Sequence, residues 1–397
     1  MIDRRTFVST SLSTIGGTTI IGSTHADTSN NFQQLSSATA VQSRPTSDLW
    51  PQYQRGPGNT SAAMGASPPT QLFTLAWMFK GASNYPVIDE ASAYFVDNID
   101  GTATLFALNR ATGSKRWTVD MDNPENIYNG PPASIDGTVY LSGQYTRAFD
   151  AADGTELWTV EDSGAGMVAT TERLHLATGP RLFTLDRTDG SKIWQRNIGG
   201  STARHAVADQ TLYVGSGTPE SGSFVIALDA ATGERRWRTK LSHEFPRLIA
   251  TDEHVFAATN TALYGIAADT GDILWSKESS PLQTGQSENV SQPAIGDGVV
   301  YAAIGETMYA LDRASGDVQW EMFISEYGGG PLVAHADGVV YSFYLDELLV
   351  LDAANGSLIN TYRGPKGSDM LDFRILVPAD ERLYLADNTT LYAIAGC

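Results

Sequence analysis

The chain has 397 residues, 42% of them hydrophobic, with 38 glycines and a single cysteine, Cys397. Its formal net charge is −19, and its lysines are only Lys80, Lys115, Lys192, Lys240, Lys277 and Lys366. Such a surface repels phosphate backbones and argues against a nucleic-acid partner. One cysteine excludes an internal disulfide and a cysteine-based zinc site. The same acidity fits adaptation to high salt, where screening removes carboxylate repulsion; unfolding on transfer to low salt is the expected sign.

The N-terminus reads as an export signal. Asp3-Arg4-Arg5-Thr6-Phe7-Val8 carries a twin-arginine pattern, Ile15 to Gly22 is weakly apolar, and Thr24-His25-Ala26 is a small-residue cleavage site. Residues 1–26 are therefore expected to be a twin-arginine-type signal peptide. There is no lipobox cysteine near residue 26, so no lipid anchor is expected there. Residues 27–48 are rich in Ser, Thr, Asn and Gln and predict a disordered linker. The stretch from Trp50 to Thr60 is a distinct leader. No run of residues is long and apolar enough to span a bilayer as a helix.

From residue 80 onward the chain repeats itself. LFALNRATGSKRW (105–117), TRAFDAADGTELW (146–158), LFTLDRTDGSKIW (182–194), VIALDAATGERRW (225–237), LYGIAADTGDILW (263–275) and MYALDRASGDVQW (308–320) share one pattern. A seventh copy, LLVLDAANGSLIN (348–360), ends in Asn360. The tryptophans lie 36 to 45 residues apart, the period of a four-stranded propeller blade. Upstream of each copy sits a hairpin signature such as PPASIDGTVYLSG (131–143), with an Asp-Gly type turn. Gly113, Gly154, Gly190, Gly233, Gly271, Gly316 and Gly356 share one slot, as a turn needing positive φ requires. Four residues earlier, in all copies but that of Gly271, an Asp or Asn (Asn109, Asp150, Asp186, Asp229, Asp312 and Asp352) is placed to bond the turn amides.

The repeat count closes on itself. Leu391 to Cys397 matches the start of the motif and stops before its turn. Leu72 to Lys80, containing Trp77, supplies the missing strand. The sequence thus predicts an all-β, eight-bladed propeller of four-stranded antiparallel blades over 49–397, closed by residues 71–80 completing the last blade. Seven of the eight tryptophans become outer-strand residues that fill the gaps between blades.

The pattern of Ala227-Leu-Asp229-Ala-Ala-Thr232-Gly233-Glu-Arg-Arg-Trp237 resembles the pyrroloquinoline quinone (PQQ) enzyme repeat. The leader Trp50-Pro-Gln-Tyr-Gln-Arg-Gly…Asn59-Thr60 resembles that of PQQ-like propellers related to the β-barrel assembly lipoprotein. The resemblance spans 50–397. It implies the fold strongly and an activity weakly, because the repeat is a structural unit. Quinoprotein dehydrogenases of this superfamily imply an adjacent cysteine pair over the quinone, a calcium ion and an aspartate base. A lone Cys397 cannot supply the pair, and no residue aligns with the calcium ligands or the base. PQQ and Ca2+ are thus possible but disfavoured. The assembly lipoprotein implies instead a non-catalytic scaffold binding other proteins.

No phosphate-binding, zinc-protease or serine-hydrolase motif is present. Asp97-Asn98-Ile99-Asp100-Gly101 resembles a calcium loop only vaguely and reads as a polar loop. The histidines at 25, 175, 205, 243, 254 and 335 lack metal-ligand spacing and read as solvated or core residues. In propellers of this type, loops joining each outer strand to the next blade form the functional face. Candidates there are Asn129, Arg204, His205, Arg247, Glu288, Asn289, Asp369 and Asp372, with Tyr128, His243 and Tyr327 nearby; the competing reading for each is a solvated loop residue. Asn59, Asn289, Asn355 and Asn388 begin glycosylation sequons. The leading expectation is an exported, non-enzymatic binding or scaffolding propeller whose partner is another extracellular or cell-surface protein or a small ligand. A quinone- or metal-dependent oxidoreductase and a sugar- or polymer-binding protein are the alternatives.

Overall fold

The computed structural model describes the chain from Gln52 to Gly396, apart from residues 53–55, 57–58, 60, 64, 72, 82–84, 100–101, 122–129, 163, 165, 219–221, 242–245, 280–289, 325–331, 345–346, 364–372, 374 and 388. The expected signal and linker lie outside the described residues.

Each repeat folds as its pattern dictates. Asp136 and Gly137 take φ of 47° and 76° between strands Ala133–Ile135 and Thr138–Ser142, and Asp337 and Gly338 take 40° and 78°. A two-residue turn with both φ positive matches the twist of the flanking strands. The strands assemble into eight four-stranded antiparallel sheets. Blades 1 to 7 span Val87–Asp120, Ala133–Val160, Gly166–Asn197, Ser201–Leu241, Arg247–Glu278, Ala294–Phe323 and Val333–Tyr362. Within each, spatial order follows sequence order. First strands of successive blades stand side by side, as Ser201–Ala208 does with Gly166–Ala169 and Arg247–Ala250. The first strands therefore line the central axis and the fourth form the rim.

Blade 8 joins both ends of the domain. Ile375–Ala379, Arg382–Ala386 and Thr390–Gly396 are completed by Phe73–Lys80 as the outermost strand. The register runs from Phe73 opposite Gly396 to Lys80 opposite Thr390. The closure read from the sequence is the one the chain adopts.

The tryptophans do fill the gaps between blades. Each packs on the turn glycine of the next blade: Trp77 on Gly113, Trp117 on Gly154, Trp158 on Gly190, Trp194 on Gly233, Trp237 on Gly271, Trp275 on Gly316 and Trp320 on Gly356. These glycines have φ between 70° and 81°, and a Cβ on Gly233 would sit 2.8 Å from the Trp194 ring. The slot thus needs glycine for its backbone and for its contact. The indole N–H also donates to a carbonyl in the same turn, as Trp117 does to Ala151 at 3.1 Å and Trp237 to Ala268 at 2.9 Å.

A second residue type shares this lock. The third residue of each second strand is Tyr94, Tyr140, His175, Tyr213, Phe256, Tyr301, Tyr341 or Tyr384. The hydroxyls of Tyr94, Tyr140, Tyr213 and Tyr301 donate to the very carbonyls that their blades' tryptophans reach: Ala151, Arg187, Ala268 and Ala353. Blade 7 explains its own anomaly. Its neighbour has no continuous turn, because the chain is broken there between Gly396 and Phe73. Tyr341 donates instead to the Pro68 and Pro69 carbonyls, and Asn360 Nδ2 to Thr70 O at 3.2 Å. Asn360 replaces tryptophan where no turn glycine exists to receive the indole.

The stretch read as a polar loop at Asp97–Gly101 begins in the structure as strand. Strand Ser92–Ile99 takes in Asp97 to Ile99, Asp97 lies buried opposite Thr104, and Ile99 pairs with Thr102, while residues 100–101 lie outside the described residues. Cross-strand pairing carried the ladder further than the polar composition suggested. No helix long and apolar enough to cross a membrane occurs among the described residues.

Candidate functional site

An innermost strand presents one unpaired backbone edge to the central axis. The leader preceding the repeats satisfies part of this edge. The Gln52 side-chain amide donates to Ala169 O at 2.9 Å and accepts from Ala169 N–H at 3.0 Å, in blade 3. Asn59 Nδ2 donates to His205 O at 2.8 Å and to Leu248 O at 3.4 Å, bridging blades 4 and 5. Ala62 pairs in parallel with His335 of blade 7. There, Ala63 N–H donates to His335 O at 2.8 Å and His335 N–H to Ser61 O at 3.0 Å. Asn59 and Ser61 turn the leader with φ of 54° and 48°; asparagine tolerates that region better than most residues.

The Gln52 and Ser61–Ala63 contacts fall near the hairpin turns of the inner strands, whereas Asn59 reaches His205 in mid-strand and Leu248 at the second residue of its strand. Ala169 ends its strand, and His335 stands one residue before the end of Val333–Ala336. The leader therefore lies against the inner strands and reaches their hairpin end at Ala169 and His335, with the loops from each rim strand to the next blade at the opposite end. Gln52, Asn59 and Ser61 are buried. Their role was not read from the sequence, although the leader was.

Of the candidates at the loop end, Asn129, Glu288, Asn289, Asp369 and Asp372 lie outside the described residues, as do Tyr128, His243 and Tyr327. Arg204 is exposed, where the pairing of Ser201–Ala208 with Thr211–Thr218 shifts register. Arg247 is half-buried at the start of the blade 5 inner strand, and its guanidinium donates to Val290 O ahead of blade 6. His205 is not a loop-face group. It is buried, with Nε2 2.8 Å from the His175 carbonyl. The structure thus separates His205 from Arg204, its neighbour in sequence, because successive strand residues point to opposite faces.

The four described histidines are core residues. His175 takes the tyrosine position of blade 3 and its Nδ1 lies 2.8 Å from Thr184 Oγ1. His335 stacks on Tyr301 with centroids 5.3 Å apart, and His254 stacks on Phe256 at 5.9 Å. Burial presses His175 down to about 3 and His205 down to about 4, from an ordinary value near 6.5. A folded-state pKa below the unfolded one means that protons bind the unfolded chain preferentially. The stability from these neutral imidazoles is complete above pH 6.5 and is lost as pH falls toward 4 and then 3. We expect the urea midpoint to fall between pH 7.5 and 5 at constant salt. His175→Tyr, restoring the commoner residue at this position, should flatten that dependence. An unchanged slope would show that His175 does not contribute to it.

Asn59 begins a sequon, yet its amide nitrogen is spent on two carbonyls within the fold. We expect intact-mass and peptide mapping of native protein to find Asn59 unmodified. Asn355 is exposed in its turn, and Asn289 and Asn388 lie outside the described residues.

No three His, Cys, Asp or Glu side chains among the described residues converge as a metal-binding group. Cys397 is the chain's sole cysteine. A lone cysteine does not supply the adjacent pair by which the sequence resemblance implies a quinone is held.

A family profile described as outer membrane protein assembly factor BamB matches residues 36–184 and 179–395. The chain belongs to this family. Among curated relatives of this BamB-family chain, the quinohemoprotein alcohol dehydrogenase ADH IIB of Pseudomonas putida is 30% identical over 147 residues, covering 31% of this chain and 21% of that enzyme. The BamB of Francisella salina is 27% identical over 146 residues, covering 35% of this chain and 26% of its own length. The match thus spans about a quarter or less of either relative. The crystal structure of BamB from Moraxella catarrhalis superposes with a TM-score of 0.60 at 17% identity, covering 82% of this chain and 98% of that one. At that identity the likeness concerns the fold.

Proposed function

We propose that this BamB-family propeller is an exported, non-enzymatic module that binds or scaffolds other proteins. The observation that carries the reading is the leader on the central axis. Gln52, Asn59 and the Ser61–Ala63 segment occupy inner-strand edges in four blades with the chain's own hydrogen bonds. The hairpin end of the channel is thereby spent on structure, and binding falls to the loop end and the rim. The family description points the same way. Export rests on the Arg4-Arg5 leader, and the acidic composition suits a saline medium. The second reading, a quinone-dependent oxidoreductase, draws support from the likeness to the Pseudomonas putida enzyme.

One experiment separates them. Purified protein is titrated with PQQ and Ca2+ while quinone absorbance and dye-linked alcohol oxidation are followed. The scaffold reading expects no stoichiometric quinone binding and no turnover. Tight binding with oxidation of an alcohol or sugar would replace it with the second reading. Cross-linking in the native extracellular fraction then identifies the partner.

A further inference from the structure

The two residues ahead of each rim tryptophan, or of Asn360, divide the rim. In blades 5 to 8 they are Ile273-Leu274, Val318-Gln319, Leu358-Ile359 and Leu75-Ala76; in blades 1 to 4 they are Lys115-Arg116, Glu156-Leu157, Lys192-Ile193 and Arg235-Arg236. Net positive charge gathers on blades 3 and 4. Residues 181–240 carry nine Lys and Arg against six Asp and Glu, in a chain of net charge −19. A basic sector on so acidic a protein runs against composition.

That sector contains a groove. Between the rim of blade 3 and the outer strands of blade 4 lies a cleft of about 500 Å³. Arg196, Arg235 and Arg238 line it, with Glu234 the one acid, above an aliphatic floor of Ile226 and Leu228 with Ile198 at its lip. Arg196 reaches across to donate to Thr232 O at 3.0 Å. The Arg238 guanidinium carbon lies over Phe224, 3.5 Å from the ring centroid. A cation over a ring face is held in place, and an exposed guanidinium such as that of Arg238 can take a carboxylate in two hydrogen bonds. Arg235 is exposed and makes no ion pair among the described residues, whereas the adjacent Arg236 is held by Asp229 at 2.9 Å.

We propose that this groove docks an acidic peptide segment of a partner protein, with its carboxylates on Arg235 and Arg238 and its aliphatic side chains on Ile226, Leu228 and Ile198. The volume is far larger than one phosphate or carboxylate needs. The floor is aliphatic, the Phe224 ring is covered by Arg238, and the Trp194 ring beside Ile226 and Leu228 is buried, so a sugar has no platform on which to stack. The proposal rests on the binding-module reading and gives that partner a chemistry.

The test uses the full chain and a fluorescein-labelled octapeptide alternating Glu and Leu, followed by anisotropy at the lowest salt that preserves the folded circular dichroism spectrum. Binding that weakens with added salt is expected, at least tenfold weaker in R235A/R238A and unchanged in Lys115→Ala, a basic rim residue on blade 1. Both groove arginines are exposed, and matching thermal melts would show that the double variant folds. An oligouronate that binds as tightly as the peptide would transfer the groove to carbohydrate and overturn the proposal. So would absence of peptide binding, or equal binding by the double variant. If R235A/R238A still cross-links the native partner of the wild-type chain, the groove assignment falls while the binding-module reading stands. If neither chain captures a partner, the wider reading falls as well.

Discussion

Trp194→Ala should destabilise the propeller by about 3–5 kcal/mol, the cost of emptying a large aromatic site in a packed core. Trp194 is only 7% exposed, its ring rests on Gly233, and its indole N–H donates to Ala230 O at 3.1 Å. The substitution therefore removes apolar burial and a hydrogen bond from the seam between blades 3 and 4. The reciprocal change, Gly233→Ala, forces a side chain into a backbone with φ of 71° and drives Cβ to 2.8 Å from the indole. Overpacking of that kind costs about 1–3 kcal/mol before the backbone strain is added. Because the two residues share one contact, the double variant should lose less than the sum of the single losses. Chemical denaturation at fixed salt measures all three. A loss below about 1 kcal/mol for Trp194→Ala, well under the usual cost of truncating a buried tryptophan, would show that the seam does not depend on the indole.

Removal of residues 1–81 should have the larger effect. It deletes strand Phe73–Lys80, and with it Trp77, which is buried against Gly113 and donates to Arg110 O at 2.9 Å. Blade 8 is left with Thr390–Gly396 as an open edge of mainly apolar residues. Such an edge templates association with other chains. We expect the truncated protein to elute as larger species than the full chain in size-exclusion chromatography and to lose its cooperative melt. A synthetic peptide covering residues 68–81 should restore both, and a scrambled peptide should not. Monomeric, cooperatively melting protein without the peptide would show that three strands suffice for blade 8.

The fold was legible because the chain writes the same local rules seven times. The turn glycines, the Asp or Asn that bonds the turn amides, and the spacing of the tryptophans each follow from one residue's backbone or contact. Even the split blade was readable, since a strand missing at one end appeared at the other. The tyrosine position was equally periodic, but its purpose was hidden. Only the structure shows Tyr94 and Trp117 sharing the Ala151 carbonyl across a blade boundary. The leader was legible as a segment and not as a set of contacts, because Asn59 meets His205 and Leu248 across 146 and 189 residues. His205 was misplaced for a related reason: loop membership was judged from sequence, and the alternation of strand side chains decided its burial. The basic groove left a trace, the residue pairs ahead of each tryptophan, that gains meaning only once blades 3 and 4 are adjacent.

The closing strand also fixes an order of events in the life of the molecule. Phe73 emerges from the ribosome more than 300 residues before Gly396, the residue it pairs with. Blades 1 to 7 can each form from contiguous sequence as they are made, but the ring stays open until the last strand is synthesised. Throughout that interval Leu75, Trp77 and Phe79 have no sheet to join, and such long-range pairing is intrinsically slow. The half-made protein is thus at its most adhesive just before completion. A cell producing it has reason to shield strand Phe73–Lys80 until Thr390–Gly396 has been made.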